Sequence, residues 1–418
     1  MWDPYAEFQS ATLPNGLSVH AAHWPGRPWE AIGFLIHSGA EHDPVGLEGL
    51  AHFVEHVVSE NAGTVSQKNI RKVFEDCGGM VGLGMTGYPC TRYGFFVPAD
   101  EAILAKAFSI FGHMLLSAEL EKCIERERQV VLREFQRHYP VRFKLDLDMR
   151  EHRVLYPGYW LERFVRPLGN PESIVRITRS ELQSSYDAHY TPANISIVGV
   201  GGMQLSELVE LLAESPFLMD KRGVRTPLPA PITDVAPPLE THHVFEVSRH
   251  IVMPVEVGAY RSVAKIPGSI NGRIIRIVTG MLNEVLDEEV RQHRAWAYTI
   301  GSSRRSFRYF YEVSIDCDAL ALKAIDGIEG VVEDCISSMT GREDLFEQVK
   351  RRALASNSMT DSTGSEICSG ALDDLAQEQR IISLGEIGDD LKRVTMSDVR
   401  DVLQWLRSER RWTLIMRP

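Results

Sequence analysis

Val45-Gly46-Leu47-Glu48-Gly49-Leu50-Ala51-His52-Phe53-Val54-Glu55-His56-Val57-Val58-Ser59 is the stretch on which the fold turns. Its apolar residues recur at helical spacing, whereas Ala31 to His37 just before it is a continuous apolar run closed by Ser38-Gly39-Ala40, as in a buried strand. The chain therefore passes from strand to helix here. Upstream, Thr12-Leu13, the tight turn Pro14-Asn15-Gly16 and the returning Leu17-Ser18-Val19-His20 read as a hairpin.

Downstream, helical patterns cover Ser66 to Asp76, Ala99 to Leu116 and Glu119 to His138, and a strand runs from Tyr93 to Val97 before Pro98. Cys77-Gly78-Gly79 stops the first of these helices, and the Gly-rich stretch Gly82 to Gly87 reads as an open strand able to receive a ligand. After Tyr190-Thr191-Pro192, the apolar run Ile195 to Val200 and a helix from Leu205 to Glu214 look like a second α/β unit. Prolines 227, 229, 231, 237 and 238 mark a semi-rigid linker rather than a packed element. The division predicted is an N-terminal domain over 1–215, a proline-rich linker over 216–240 and a C-terminal domain over 241–418. In the last of these, strands near Val244 to Val257, a long helix Ile270 to His293, strands near Ala297 to Ile300 and Tyr309 to Cys317, then helices, repeat the order weakly. The fold class expected is α+β: two related α/β halves, each a mainly antiparallel sheet covered by helices on one side.

The chain has 418 residues, 44% hydrophobic and 24% charged, which suits a folded protein of at least two domains. A net charge of -12 argues against a nucleic-acid partner, because phosphate binding needs clustered Lys and Arg. Six widely spaced cysteines form neither a disulfide framework nor a thiolate metal site and read as reduced thiols. No basic start followed by an apolar run is present and no segment approaches a membrane span, so a cytoplasmic location without membrane association is expected.

His52-Phe53-Val54-Glu55-His56 places three chemical groups on one helical face. At about 100° per residue, His52 and His56 lie within roughly 40° of each other and Glu55 about 60° to the other side. Two imidazoles so placed can bind one Zn2+ ion, and the carboxylate can hold the metal-bound water and accept its proton. Zinc moves the pKa of bound water towards about 7, which lets a carboxylate generate hydroxide at neutral pH. A catalytic zinc takes three protein ligands, and the candidate for the third is Glu134. Glu127 lies two turns earlier on the same helical face and can support the site from behind.

These motifs, together with Leu13-Pro14-Asn15-Gly16-Leu17, Gly49 to His56, Gly78-Gly79, Thr91-Arg92-Tyr93 and His189-Tyr190-Thr191-Pro192-Ala193-Asn194, span nearly the whole chain. In them the sequence resembles the pitrilysin/insulinase family of zinc peptidases, in the short-subunit branch that includes the mitochondrial processing peptidase and bacterial relatives. The resemblance implies His52, His56 and Glu134 as ligands of one zinc per chain, Glu55 as general base and Glu127 as supporting carboxylate. Arg291 and Tyr298 are similar to the family's Arg and Tyr seven residues apart, which bind substrate carbonyls and steady the tetrahedral intermediate.

Further expectations rest on the same resemblance. The chain should be a zinc metalloendopeptidase that hydrolyses unfolded peptides or leader segments. One short chain supplies one bowl of a closed chamber, which implies a homodimer, or a heterodimer with a related subunit, and an Arg/Tyr pair contributed by the opposite bowl. A non-catalytic scaffold or partner subunit is the alternative. Substrate should be gripped as an added strand along Met80 to Thr86, with Leu83, Gly84, Met85 and Thr86 as binding residues. Leu83-Gly84 stands where the family has Asn-Ala.

Overall fold

Phe34 shows how the first half assembles: it is fully buried and stacks on Phe111, with ring centroids 4.8 Å apart, so a strand is bonded face-on to a helix. In the computed structural model, which describes residues 3–62, 65–219, 223–228, 235–246, 257–357 and 363–417, two units form. One comprises Met1–Met149, Arg163–Pro229 and Asp361–Ser383; the other comprises Arg150–Glu162, Ala230–Thr360 and Leu384–Pro418. The single boundary expected at 216–240 does not describe this division, because each unit takes a segment from beyond it.

The first unit is built on a six-stranded sheet in the order Phe8–Thr12, Ser18–His23, Ile195–Gly201, Trp29–Ile36, Thr91–Pro98, Met80–Thr86. Pairings are antiparallel except between Ser18–His23 and Ile195–Gly201. Ile195–Gly201 is thus a central strand of the first sheet and not the start of a second α/β unit, and its seven buried residues follow from that position. Ile32, Phe34 and Ile36 face a core shared with Phe53 and Val57 of helix Leu50–Ser59 and with Phe108, Phe111 and Leu115 of helix Glu101–Leu116.

The opposite face is also covered, which corrects the expectation of helices on one side only. Helix Gly364–Glu378 lies on strands Trp29–Ile36 and Ile195–Gly201. Gly33 makes room for it: a Cβ there would stand 2.6 Å from Leu372 and 2.9 Å from Cys368. An ion pair of 2.7 Å joins Arg92 to Asp373 at its edge. Pro216–Met219, placed in the linker by its prolines, is a short helix whose Phe217 is fully buried against Phe34. Residues 220–222 and 229–234 of that segment lie outside the described residues.

The second unit has a five-stranded sheet in the order Gly301–Phe307, Phe310–Ala321, Val257–Pro267, Arg411–Arg417, His242–Glu246, the last pair parallel. Residues 247–256 of the strand expected near Val244 to Val257 are outside the described set. Segment Arg150–Glu162 belongs here: Glu151 takes a two-pronged ion pair from Arg261 at 2.7 and 2.9 Å, and Tyr156 buries its ring and bonds Glu312. The helix read as Ile270 to His293 is α-helical only over Gly272–Leu286 and widens into a π turn over Asp287–His293. No strand forms at Ala297 to Ile300, where Ala297 makes only an isolated bridge to Leu320. Among the described residues no helix is long and apolar enough to cross a membrane.

Candidate metal centre

Helix Leu50–Ser59 divides its faces as its spacing predicts. Leu50, Phe53, Val54, Val57 and Val58 enter the core, and the opposite face carries His52, Glu55 and His56. Its start is fixed from outside the helix: the Asp43 carboxylate accepts the backbone N–H of Gly49 at 2.7 Å and of Ala51 at 2.8 Å. Helix Ile124–His138 runs nearby and presents Glu127 and Glu134; the helix expected from Glu119 is interrupted at Cys123, after a single turn over Leu120–Lys122.

Three groups converge. Glu134 Oε2 lies 3.2 Å from His56 Nε2 and 3.7 Å from His52 Nε2, and the two imidazole rings are 4.6 Å apart. Behind them, Glu127 Oε2 stands 3.3 Å from His56 Nδ1, the arrangement in which a carboxylate fixes the tautomer and orientation of a ligating histidine. His52 is buried, yet its Nδ1 has no hydrogen-bond partner among the described residues and its Nε2 is beyond hydrogen-bond reach of Glu134. An imidazole buried this way is costly unless a ligand takes it up. Two imidazole nitrogens and a carboxylate oxygen within this span fit a divalent transition ion.

Glu55 sits within 4.8 Å of both histidines but is held differently. Its Oε2 accepts from Thr86 Oγ1 at 3.3 Å, and Oε1 faces Ser59 Oγ at 3.5 Å. With that carboxylate engaged there, Glu134 Oε2, which faces both Nε2 atoms, could serve as third ligand. Burial pushes Glu55 up to about 7, against the nearby His56 charge. Burial likewise holds His52 down to about 3. His56 is opposed by burial, but its hydrogen bonds to Glu127 and Glu134 push it up to about 10, and the bond to His56 holds Glu134 down to about 2.

The strand Met80–Thr86 is one of the sheet's two edges, with no further strand beside it among the described residues, and its Gly84 packs against Glu55. Its pairing slips between Gly82 and Met85, so Leu83 and Gly84 form a bulge beside the site. Gly84 adopts φ +135°, open only to glycine without strain. Met85 is 59% exposed beside the cavity; the side chain of Leu83 lies outside the described residues. The cavity, about 640 Å³, is lined by His52, His56, the carboxylates of Glu55, Glu60, Glu127 and Glu134, and Gly84, Met85 and Thr86. It also takes in Arg71, His138 and Arg166, which sequence reading missed. Only His138 left a signal, four residues beyond Glu134 on its helix.

Arg291 and Tyr298 lie in the second unit. Arg291 is in the π turn, paired to Asp287 at 3.1 Å, and its guanidinium is 5.8 Å from the Tyr298 ring. Tyr298 is 77% exposed. The two side chains are neighbours.

Solved structures share this architecture. A protease from Helicobacter pylori matches with a TM-score of 0.78 at 17% identity, over 98% of this chain and 99% of that one. The periplasmic protease PqqL from Escherichia coli gives 0.80 at 15% identity, over 98% of this chain and 47% of that longer chain. The fold is therefore that of solved proteases. Two family models match in sequence: Insulinase (Peptidase family M16) over residues 19–148, which contains the whole cluster, and Peptidase M16 inactive domain over residues 176–353. This chain belongs to the insulinase family of peptidases. The beta subunit of the mitochondrial-processing peptidase of Lentinula edodes is 30% identical over 221 residues, which is 51% of this chain and 44% of that protein. The chain thus matches less than half the length of that relative.

Proposed function

We propose that this chain is a zinc metalloendopeptidase that hydrolyses unfolded peptides or leader segments, with His52, His56 and Glu134 as metal ligands. The observation that carries the reading is the convergence of Glu134 Oε2 on both Nε2 atoms beside a base-like Glu55 and a free strand edge. Bound there, zinc would supply a Lewis acid that polarises the peptide carbonyl and acidifies water.

The chain's own residues supply the rest. Glu55, raised to about 7 by burial, takes a proton near neutrality and returns it to the leaving amine. Thr86 and Ser59 hold its carboxylate in one orientation. Glu127 keeps the His56 proton on Nδ1, leaving Nε2 free to ligate. Met80–Thr86 pairs with the substrate main chain, so affinity comes from backbone hydrogen bonds and extended peptides are favoured over folded ones.

Two chains closing a chamber, with Arg291 and Tyr298 facing the partner's metal site, complete the reading. A match of this whole chain to 47% of a longer protease supports the pairing of two such halves. The relatives named as beta subunits favour a second form of it, a heterodimer with a related chain. The test is Glu55→Gln, which should retain about one zinc per chain while cleavage of an unstructured peptide falls ~10²–10⁴-fold. Undiminished cleavage by metal-free protein would overturn the proposal.

A further inference from the structure

The charges of the cavity do not balance once their pairs are drawn. Glu127 is bonded to His56 and to Arg126, Glu134 to His56, and Glu60 to Arg126. Glu55 is bonded to Thr86. Every carboxylate in the lining therefore has a donor. The cations differ: Arg71, on helix Gln67–Asp76, and Arg166, in the segment opposite, form no ion pair among the described residues, and both are exposed to the cavity. The Arg166 guanidinium lies beside the Tyr139 hydroxyl, which itself donates to Asp148 at 3.2 Å. By contrast, the neighbouring Arg126, Arg128 and Arg163 are all paired to glutamates.

Resting on the peptidase reading, we propose that Arg71 and Arg166 select peptides that carry a carboxylate within a few residues of the cleaved bond. Two guanidiniums at the rim of a concave site attract such a group, and planar guanidinium binds carboxylate in two-pronged fashion. The acidic surplus of the whole chain opposes this only weakly, because charges beyond about 8–10 Å are screened at physiological salt while the rim arginines meet the bound peptide directly. The carboxylate has two sources, an Asp or Glu side chain and the C-terminus of the peptide, and the experiment separates them.

A single unstructured peptide is prepared with Glu, Gln or Lys at each of three positions on either side of its cleaved bond, with free or amidated C-terminus. Cleavage rates are measured by mass spectrometry, and binding to the Glu55→Gln protein by fluorescence anisotropy. The expected result is a preference for Glu over Gln of about three- to tenfold in kcat/KM and in affinity, with Lys lower still. The double variant Arg71→Glu/Arg166→Glu should reverse the order, and added salt should flatten it. A gain that follows the free C-terminus alone assigns the carboxylate to the chain end. Equal binding and cleavage across the series, or an unchanged order in the charge-reversed variant, would overturn the proposal. Acidic peptides that bind best yet are never cleaved would sink the peptidase reading and leave the selectivity standing.

Discussion

Gly84 stands against Glu55 so closely that a Cβ at that position would lie 1.9 Å from Oε1. The strand proposed to receive substrate and the carboxylate proposed as base are thus packed with no side chain between them. A Gly84→Ala chain must displace either the bulge or the carboxylate, and its φ of +135° adds strain of ~1–3 kcal/mol. Cleavage should fall by ~10²-fold, as expected when a reacting group shifts by about an ångström, while the circular dichroism spectrum stays that of the parent. Full activity in this variant would dissociate the bulge from the chemistry.

Glu127 touches His56 from the side away from Glu134. Glu127→Gln should weaken metal binding ~10–100-fold, measured by competition with a chelator, with the fold unchanged. An unaltered metal affinity would reduce Glu127 to a partner of Arg126.

Asp43 holds two backbone N–H groups at the start of the motif helix. Replacing it with Ala leaves both unsatisfied in a buried place and should cost ~1–2 kcal/mol in urea denaturation. Because His52 directly follows Ala51 in this first turn, metal affinity should fall in the same variant.

Glu30 is fully buried, one oxygen accepts the Met203 N–H at 3.0 Å, and burial pushes its carboxyl up to about 8 from 4.5. Between those values the folded chain holds a proton that the unfolded chain has released. Its contribution to stability is therefore present at low pH and lost as pH rises from about 4.5 to about 8. Glu30→Gln should flatten the stability profile across that window, with a change of roughly 2–4 kcal/mol relative to the parent between its ends. Unfolding free energies from urea melts at pH 5, 6.5 and 8 that change in parallel in parent and variant would show that Glu30 does not titrate there.

A chain truncated to residues 1–229 lacks helix Gly364–Glu378 and exposes the sheet face around Gly33 and Val198. It should associate and bind a hydrophobic dye, and a peptide of residues 361–383 added in trans should suppress both. A monomeric, cooperatively melting fragment would contradict the packing.

Much of the site was legible because its chemistry is local. His52, Glu55 and His56 share one face by the helical period alone, and Glu127 and Glu134 share another by a spacing of two turns. The edge strand was legible from its glycines. Partner choice was not: nothing in the apolar run Ile195–Gly201 says that it inserts between Ser18–His23 and Trp29–Ile36, and nothing in Gly364–Glu378 names the sheet it covers. Proline content misled at Pro216–Met219, where a buried Phe217 outweighed the linker signal. Asp43 escaped because a cap reached from a preceding loop has no periodic signature, and the end of the α-helix at Leu286 carries no Gly or Pro to announce it.

The late helix on the early sheet has a consequence for synthesis. The histidine-bearing unit cannot be finished when residue 229 leaves the ribosome; it waits for residue 383, the last of its third segment. At about 5–20 residues per second, that interval is roughly 8–30 s, during which one face of a β-sheet is bare. During that interval the apolar strands Trp29–Ile36 and Ile195–Gly201 lack the helix that covers them, and the histidine-bearing unit is completed only after residues 230–360 of the other unit have been made.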